Sequence, residues 1–333
     1  MISHGDDTYR YPDIRLNFSS NVYNGFDHSG LMKHLCDRMN LITSYPEPDA
    51  ASLECMIEQK IVAGKGTVMV TNGAIEAIYL IAKVFSGSRS CIVQPTFSEY
   101  EAAARCNNHR IRNVLNLADA FRDKSPELLW ICNPNNPTGT VTSREEMLSF
   151  IEGHPETLFI VDSSYAPFTQ KALLEPADVV GMNNVLMLRS MTKEYAIPGL
   201  RLGYIIAEAG ALSLLRQHRM PWSVNSLAIE AGKYLLSHTE EYRFDLTELL
   251  YERQRVAETL ADSGKIDVFP SDTHILLCRL HHGTASDLKE HLALNHGILI
   301  RDASNFTGLD ESFFRIAVQS KEENNALLRH LLP

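Results

Sequence analysis

The sequence predicts an α/β fold, a mainly parallel sheet covered by helices on both faces, followed by a smaller α+β part. Three observations carry this expectation. Short apolar runs alternate with helix-like periodicity through the middle of the chain, the pattern of strands joined by crossover helices. After about residue 224 the alternation gives way to one long amphipathic stretch and several strand-like runs. The chain has 333 residues, of which 44% are hydrophobic and 22% charged. That is enough for a large core, and for two domains or one large and one small.

Residues 67–71 form an apolar run that ends at Asn72-Gly73, and Ile75, Ile78, Ile81, Ala82 and Phe85 then recur at helical spacing. Residues 90–93 read as a strand closed by Pro95, and 99–106 as a helix. Residues 128–132 enter a loop rich in Asn and Pro, which runs to Gly139. Ser143 with Glu146 has the spacing of a capping box and opens the next helix. Residues 158–161 end at Asp162, 185–188 end near Ser190, and 202–207 complete the series of strands. Residues 239–262 read as a single helix rich in Glu and Arg. Strand-like runs follow at 266–269, 274–280, 297–300 and 313–318, before a second capping-box pair, Ser320 and Glu323. The expected division is a large domain over 36–223 and a small one from 1–35 and 224–333.

A net charge of −10 and the absence of a long basic run argue against nucleic acid or an anionic membrane as partner. No apolar run reaches about 18 residues and no basic-then-apolar leader is visible, so the expected compartment is the cytoplasm. The six cysteines include no Cys-x-x-Cys pair and no Cys/His spacing suited to zinc. They read as reduced thiols, and no metal is expected.

The densest chemistry lies in Ser190-Met191-Thr192-Lys193, with Arg201 eight residues on. An amine at the end of a buried strand is desolvated, and a nearby guanidinium disfavours its protonation further. Both effects favour a nucleophilic neutral amine. Hydroxyls and a guanidinium are groups that hold phosphate. An aldehyde cofactor carrying a phosphate, pyridoxal 5′-phosphate, needs this combination. Asp162, after Phe159-Ile160-Val161, would need a partner if buried. A protonated pyridine nitrogen is one; a turn or helix N-cap is the plainer alternative. Asn136 and Tyr165 could reach a phenolic oxygen, although Asn-Pro-Thr-Gly also makes ordinary turns. Gly73-Ala74-Ile75 opens a helix whose amides could bind phosphate. Phe97 could stack on a ring or simply fill core. Arg301 and Arg315 lie near strand ends and suit a carboxylate or phosphate. In parallel sheets ligands gather beyond the carboxyl ends of the strands, and Gly73, Phe97, Asn136, Asp162 and Lys193 all fall just after strand-like runs.

Together these motifs resemble the fold type I pyridoxal-phosphate enzymes, the aspartate aminotransferase superfamily, over almost the whole chain. Within it the chain resembles the L-threonine-O-3-phosphate decarboxylases of cobalamin biosynthesis and, as the alternative, the histidinol-phosphate aminotransferases. The segments Leu188 to Lys193, Tyr195 to Tyr204, Met220 to Ala228, Pro95 to Tyr100 and Ile298 to Asp302 with Asn305-Phe306 are more similar to the decarboxylases. So are Ser3-His4-Gly5 and Leu16 to Asn21. The resemblance implies a seven-stranded, mainly parallel sheet in the large domain and decarboxylation of a small phosphorylated amino acid. Lys193 would carry the cofactor as a Schiff base, Asp162 would meet the ring nitrogen, and Asn136 and Tyr165 the phenolic oxygen. Ser190, Thr192, Arg201 and the Gly73-Ala74-Ile75 turn would hold the phosphate. Tyr45 resembles a tyrosine that reaches that phosphate from the other subunit, which implies a homodimer. Arg315 would bind the α-carboxylate, with Arg301, Asn21 and His4 as further substrate contacts. Two departures stand out. Asp162-Ser163-Ser164 replaces the family's common Asp-Glu-Ala, and Ile75 stands where a hydroxyl residue is frequent.

Overall fold

The computed structural model describes residues 5–332. A short strand, β1 (Leu16–Asn17), precedes the strands of the large sheet. These are β2 (Val68–Thr71), β3 (Arg89–Val93), β4 (Arg110–Val114), β5 (Leu128–Cys132), β6 (Leu158–Asp162), β7 (Val185–Ser190) and β8 (Gly203–Ala207). They form a seven-stranded sheet in the order β2-β8-β7-β6-β5-β3-β4. β3 pairs parallel with β4 and β5, β5 with β6, and β6 with β7. β8 runs antiparallel to both neighbours, β2 and β7.

Every residue of β2, β5 and β8 is buried, as expected of strands covered on both faces. Alternate side chains divide between two cores. Met69, Trp130, Ile160, Leu186 and Ile205 pack on one face; Val70, Leu129, Phe159, Met187 and Ile206 pack on the other. β4 is the strand that the apolar pattern does not reveal. Its sequence, Arg-Ile-Arg-Asn-Val, sits at the sheet's edge and is only partly buried, so nothing demands a hydrophobic run there.

The smaller sheet comprises β9 (Ile266–Val268), β10 (Ile275–Leu280), β12 (Arg301–Asp302) and β13 (Phe313–Ala317), in the antiparallel order β12-β13-β10-β9. Between them in sequence, β11 (Ile298–Leu299) pairs parallel with β1. This pairing ties the N-terminal tail to the C-terminal part, and the Ala317 amide donates to the Phe18 carbonyl at 2.9 Å. Residues 19–21 are thereby held between the two sheets.

The expected single helix over 239–262 is two pieces. A 3₁₀ turn, Thr239–Tyr242, is followed by the helix Leu246–Asp262. Asp245 accepts from the Glu248 amide and starts a new helix, while Tyr242 and Phe244 pack around Phe26. Ser320 and Glu323 form the full reciprocal capping box, whereas Ser143 accepts from the Glu146 amide. Among the described residues no helix is long and apolar enough to cross a membrane.

Candidate active site

Because β2, β3, β5, β6 and β7 share one direction, the residues that follow them emerge at one edge of the sheet. Antiparallel β8 starts at that same edge, which brings Arg201 beside them. A cavity of about 490 Å³ opens there. Ala74, Ile75, Phe97, Asn136, Asp162, Tyr165, Ser190, Thr192, Lys193 and Arg201 line it from the large sheet. Asn21 comes from the tail, and Arg301 and Arg315 from the smaller sheet. Gly73 is buried and immediately precedes the lining residues Ala74 and Ile75, but does not itself line the cavity. Tyr45 is not part of the cavity. It is 84% exposed and its ring lies 5.3 Å from that of Trp222. His4 lies outside the described residues.

The Lys193 amine donates to the Ser20 carbonyl at 2.7 Å. Burial, and then the Arg315 charge, push its pKa down to about 8, so a useful fraction is neutral near physiological pH. Asp162 is buried at the end of β6. Its Oδ2 accepts from the Tyr100 hydroxyl at 2.7 Å, and its Oδ1 from the Ser164 amide at 3.0 Å and hydroxyl at 2.5 Å. Burial raises the carboxyl's pKa, opposed by Ser164, Tyr100 and the Lys193 charge. The Tyr165 hydroxyl accepts from Asn21 Nδ2 at 3.0 Å, and burial raises its pKa.

Arg315 is buried and donates from Nη1 to Asn136 Oδ1 and from Nη2 to the Ser19 carbonyl. Burial pushes its guanidinium down to about 9, still charged at neutral pH. Its Nε is buried without a hydrogen-bond partner, so the group retains donor capacity toward a ligand. Arg301, also buried, donates to Asn305 Oδ1 at 2.8 Å and lies 5.5 Å from the centre of the Phe306 ring.

The cofactor that the motifs imply can be tested against this geometry. Gly73 has φ +73°, and a Cβ there would lie 2.8 Å from Arg201 Nη2. The missing side chain is therefore what allows the guanidinium to approach the first turn of the helix Gly73–Val84. Thr192 lines the cavity and its Oγ1 is buried with no hydrogen-bond partner, which leaves the hydroxyl free to bond a ligand oxygen. A desolvated amine, a buried carboxylate and this cradle fit pyridoxal 5′-phosphate.

Several neighbours were not singled out from sequence. Tyr100 lies three residues after Phe97, and its ring meets that of Phe97 edge-on at 5.8 Å; the three-residue spacing at a helix start was the available signal. Asp6 also lines the cavity and accepts from Asn17 Nδ2 at 2.6 Å. His274 is wholly buried against Phe168, and burial lowers its pKa to about 3, so it is neutral.

A family model for class I and II aminotransferases matches residues 13–331. The chain belongs to this family. Its fold is that of the fold type I pyridoxal-phosphate enzymes. The threonine-phosphate decarboxylase of Salmonella typhimurium is 31% identical over 96% of this chain and 91% of its own length. A histidinol-phosphate aminotransferase of Caldanaerobacter subterraneus is 31% identical over 90% of this chain and 88% of its own. The crystal structure of L-threonine-O-3-phosphate decarboxylase from Porphyromonas gingivalis superposes with a TM-score of 0.91 at 38% identity, covering 95% of this chain and 98% of that one.

Proposed function

We propose that this protein is a pyridoxal-phosphate-dependent carboxy-lyase that converts L-threonine O-3-phosphate to 1-amino-2-propanol O-phosphate and carbon dioxide. The observation that carries the reading is one cavity holding the Lys193 amine, the Asp162 carboxylate and two buried guanidiniums, Arg301 and Arg315. A substrate with both a carboxylate and a phosphate would use both arginines, and the 38% identical structural relative bears that enzyme's name.

When bound, pyridoxal phosphate supplies an aldehyde for the amine and a pyridinium ring that accepts the electron pair released as carbon dioxide departs. Lys193 provides the amine that anchors it. Asp162 would hold a proton on the ring nitrogen, and Asn136 and Tyr165 would be the groups available to the phenolic oxygen. Ser190, Thr192, Arg201 and the backbone of Gly73-Ala74-Ile75 would hold the phosphate. Arg315, steadied by Asn136 and Ser19, would bind the substrate carboxylate and orient it for its loss. Lys193 would also return a proton to the substrate's Cα. Arg301 and Asn21 make further substrate contacts. The exposed pair Tyr45 and Trp222 supports assembly of two copies, with Tyr45 completing its partner's cavity.

The test is incubation of the purified protein with pyridoxal phosphate and L-threonine O-3-phosphate. Stoichiometric carbon dioxide is expected. Amine transfer to 2-oxoglutarate without carbon dioxide would instead favour an aminotransferase acting on histidinol phosphate, the reading to which the 31% identical aminotransferase points.

A further inference from the structure

We propose that Ser164 is a positioning residue, whose side-chain hydroxyl keeps Asp162 ionised and aimed at the cofactor's ring nitrogen. The inference rests on the cofactor reading above. An ionised carboxylate offers about four acceptor positions. In Asp162 three are filled by the Ser164 hydroxyl, the Ser164 amide and the Tyr100 hydroxyl. The carboxylate lines the cavity, so the remaining position is available to a donor within it.

The amide bond from Ser164 would survive with any residue at that position, because it belongs to the backbone. The hydroxyl bond at 2.5 Å would not. It is the shortest of the three. The surroundings make the extra donor consequential. Burial is the largest influence on Asp162 and favours its neutral form. The titratable groups facing it are Tyr100 from the helix Glu99–Cys106, Cys132 at the end of β5, Tyr165 after β6 and Lys193 after β7. Of these only Lys193 can be cationic, and it is the amine that must become neutral to react. With that charge withdrawn and before a ring nitrogen is in place, the Ser164 and Tyr100 hydroxyls and the Ser164 amide are the donors that support the carboxylate. The site thus replaces a titrating charge by two hydroxyls that stay neutral donors at working pH.

The experiment compares wild type, S164A, S164T and Y100F after reconstitution with pyridoxal phosphate. It reads the cofactor's dissociation constant by equilibrium dialysis and the pH midpoint of its visible absorbance. The thermal midpoint of each cofactor-free protein is recorded alongside. S164A is expected to bind the cofactor on the order of tenfold more weakly, with a displaced pH midpoint and a thermal midpoint lowered by no more than a few degrees. Y100F should act in the same direction, and S164T should restore both cofactor readouts. S164A binding within about twofold of wild type, with the same pH midpoint, would overturn the proposal. So would equal losses in S164A and S164T that follow a thermal midpoint lowered by more than a few degrees, which would mark a packing role. A wild-type protein that fails to bind pyridoxal phosphate would overturn the cofactor reading itself, and this inference with it.

Discussion

Replacing Lys193 by methionine should stabilise the cofactor-free protein at neutral pH. In the unfolded chain the amine keeps its proton up to about 10.5; in the fold it does so only to about 8, because burial and the Arg315 charge oppose it. Between those values the unfolded state binds more protons, so stability rises with pH; below about 8 the full cost is present. The displacement corresponds to about 3 kcal/mol at pH 7. Methionine retains an unbranched stem and removes that cost. It also removes the hydrogen bond to the Ser20 carbonyl, worth about 1 kcal/mol. The expected net gain at pH 7 is about 2 kcal/mol, shrinking through pH 8 to 10 and vanishing or reversing near 10.5. Urea denaturation of both cofactor-free proteins at a series of pH values measures it. Coincident midpoints at every pH, or a variant less stable at pH 7, would refute the assignment of Lys193 as a desolvated amine.

Gly73→Ala places a Cβ within 2.8 Å of Arg201 Nη2 at a positive φ; a strain of about 1–2 kcal/mol and a cofactor dissociation constant raised about tenfold are expected, measured by thermal melting and equilibrium dialysis. Arg315→Lys keeps a charge but loses the planar fork that reaches both Asn136 and Ser19; kcat/KM for threonine phosphate should fall by roughly a hundredfold or more, while cofactor binding stays within about threefold. Ser320→Ala removes one half of the capping box on the helix Lys321–Leu331 and should lower stability by about 1 kcal/mol without changing turnover, as read by denaturation and carbon dioxide release.

The site's large-sheet residues were legible because each follows an apolar run, and such runs are local signals. Lys193, Asp162, Asn136 and Phe97 could be placed at strand ends without knowing which strands were neighbours. Tyr100 could not be linked to Asp162, since that contact joins residues 62 apart. The Lys193–Ser20 hydrogen bond spans 173 positions and Arg315–Asn136 spans 179. β4 was hidden because an edge strand has no need of hydrophobic alternation. The helix break before Leu246 was hidden because Asp245 reads equally well as one more polar residue on an amphipathic surface.

The sequence alone determined the α/β class, the strand-end position of the lysine and the aspartate, and the clustering of two hydroxyls and a guanidinium between Ser190 and Arg201. These depend on residue type and short spacing. Tertiary structure decided the rest. The antiparallel course of β8 brings Arg201 to the shared edge, the β1–β11 pairing carries residues 19–21 to Lys193, and the loop after β6 turns the Ser164 hydroxyl onto Asp162. Each is a contact whose energy depends on burial and direction, and neither is defined until the chain has folded.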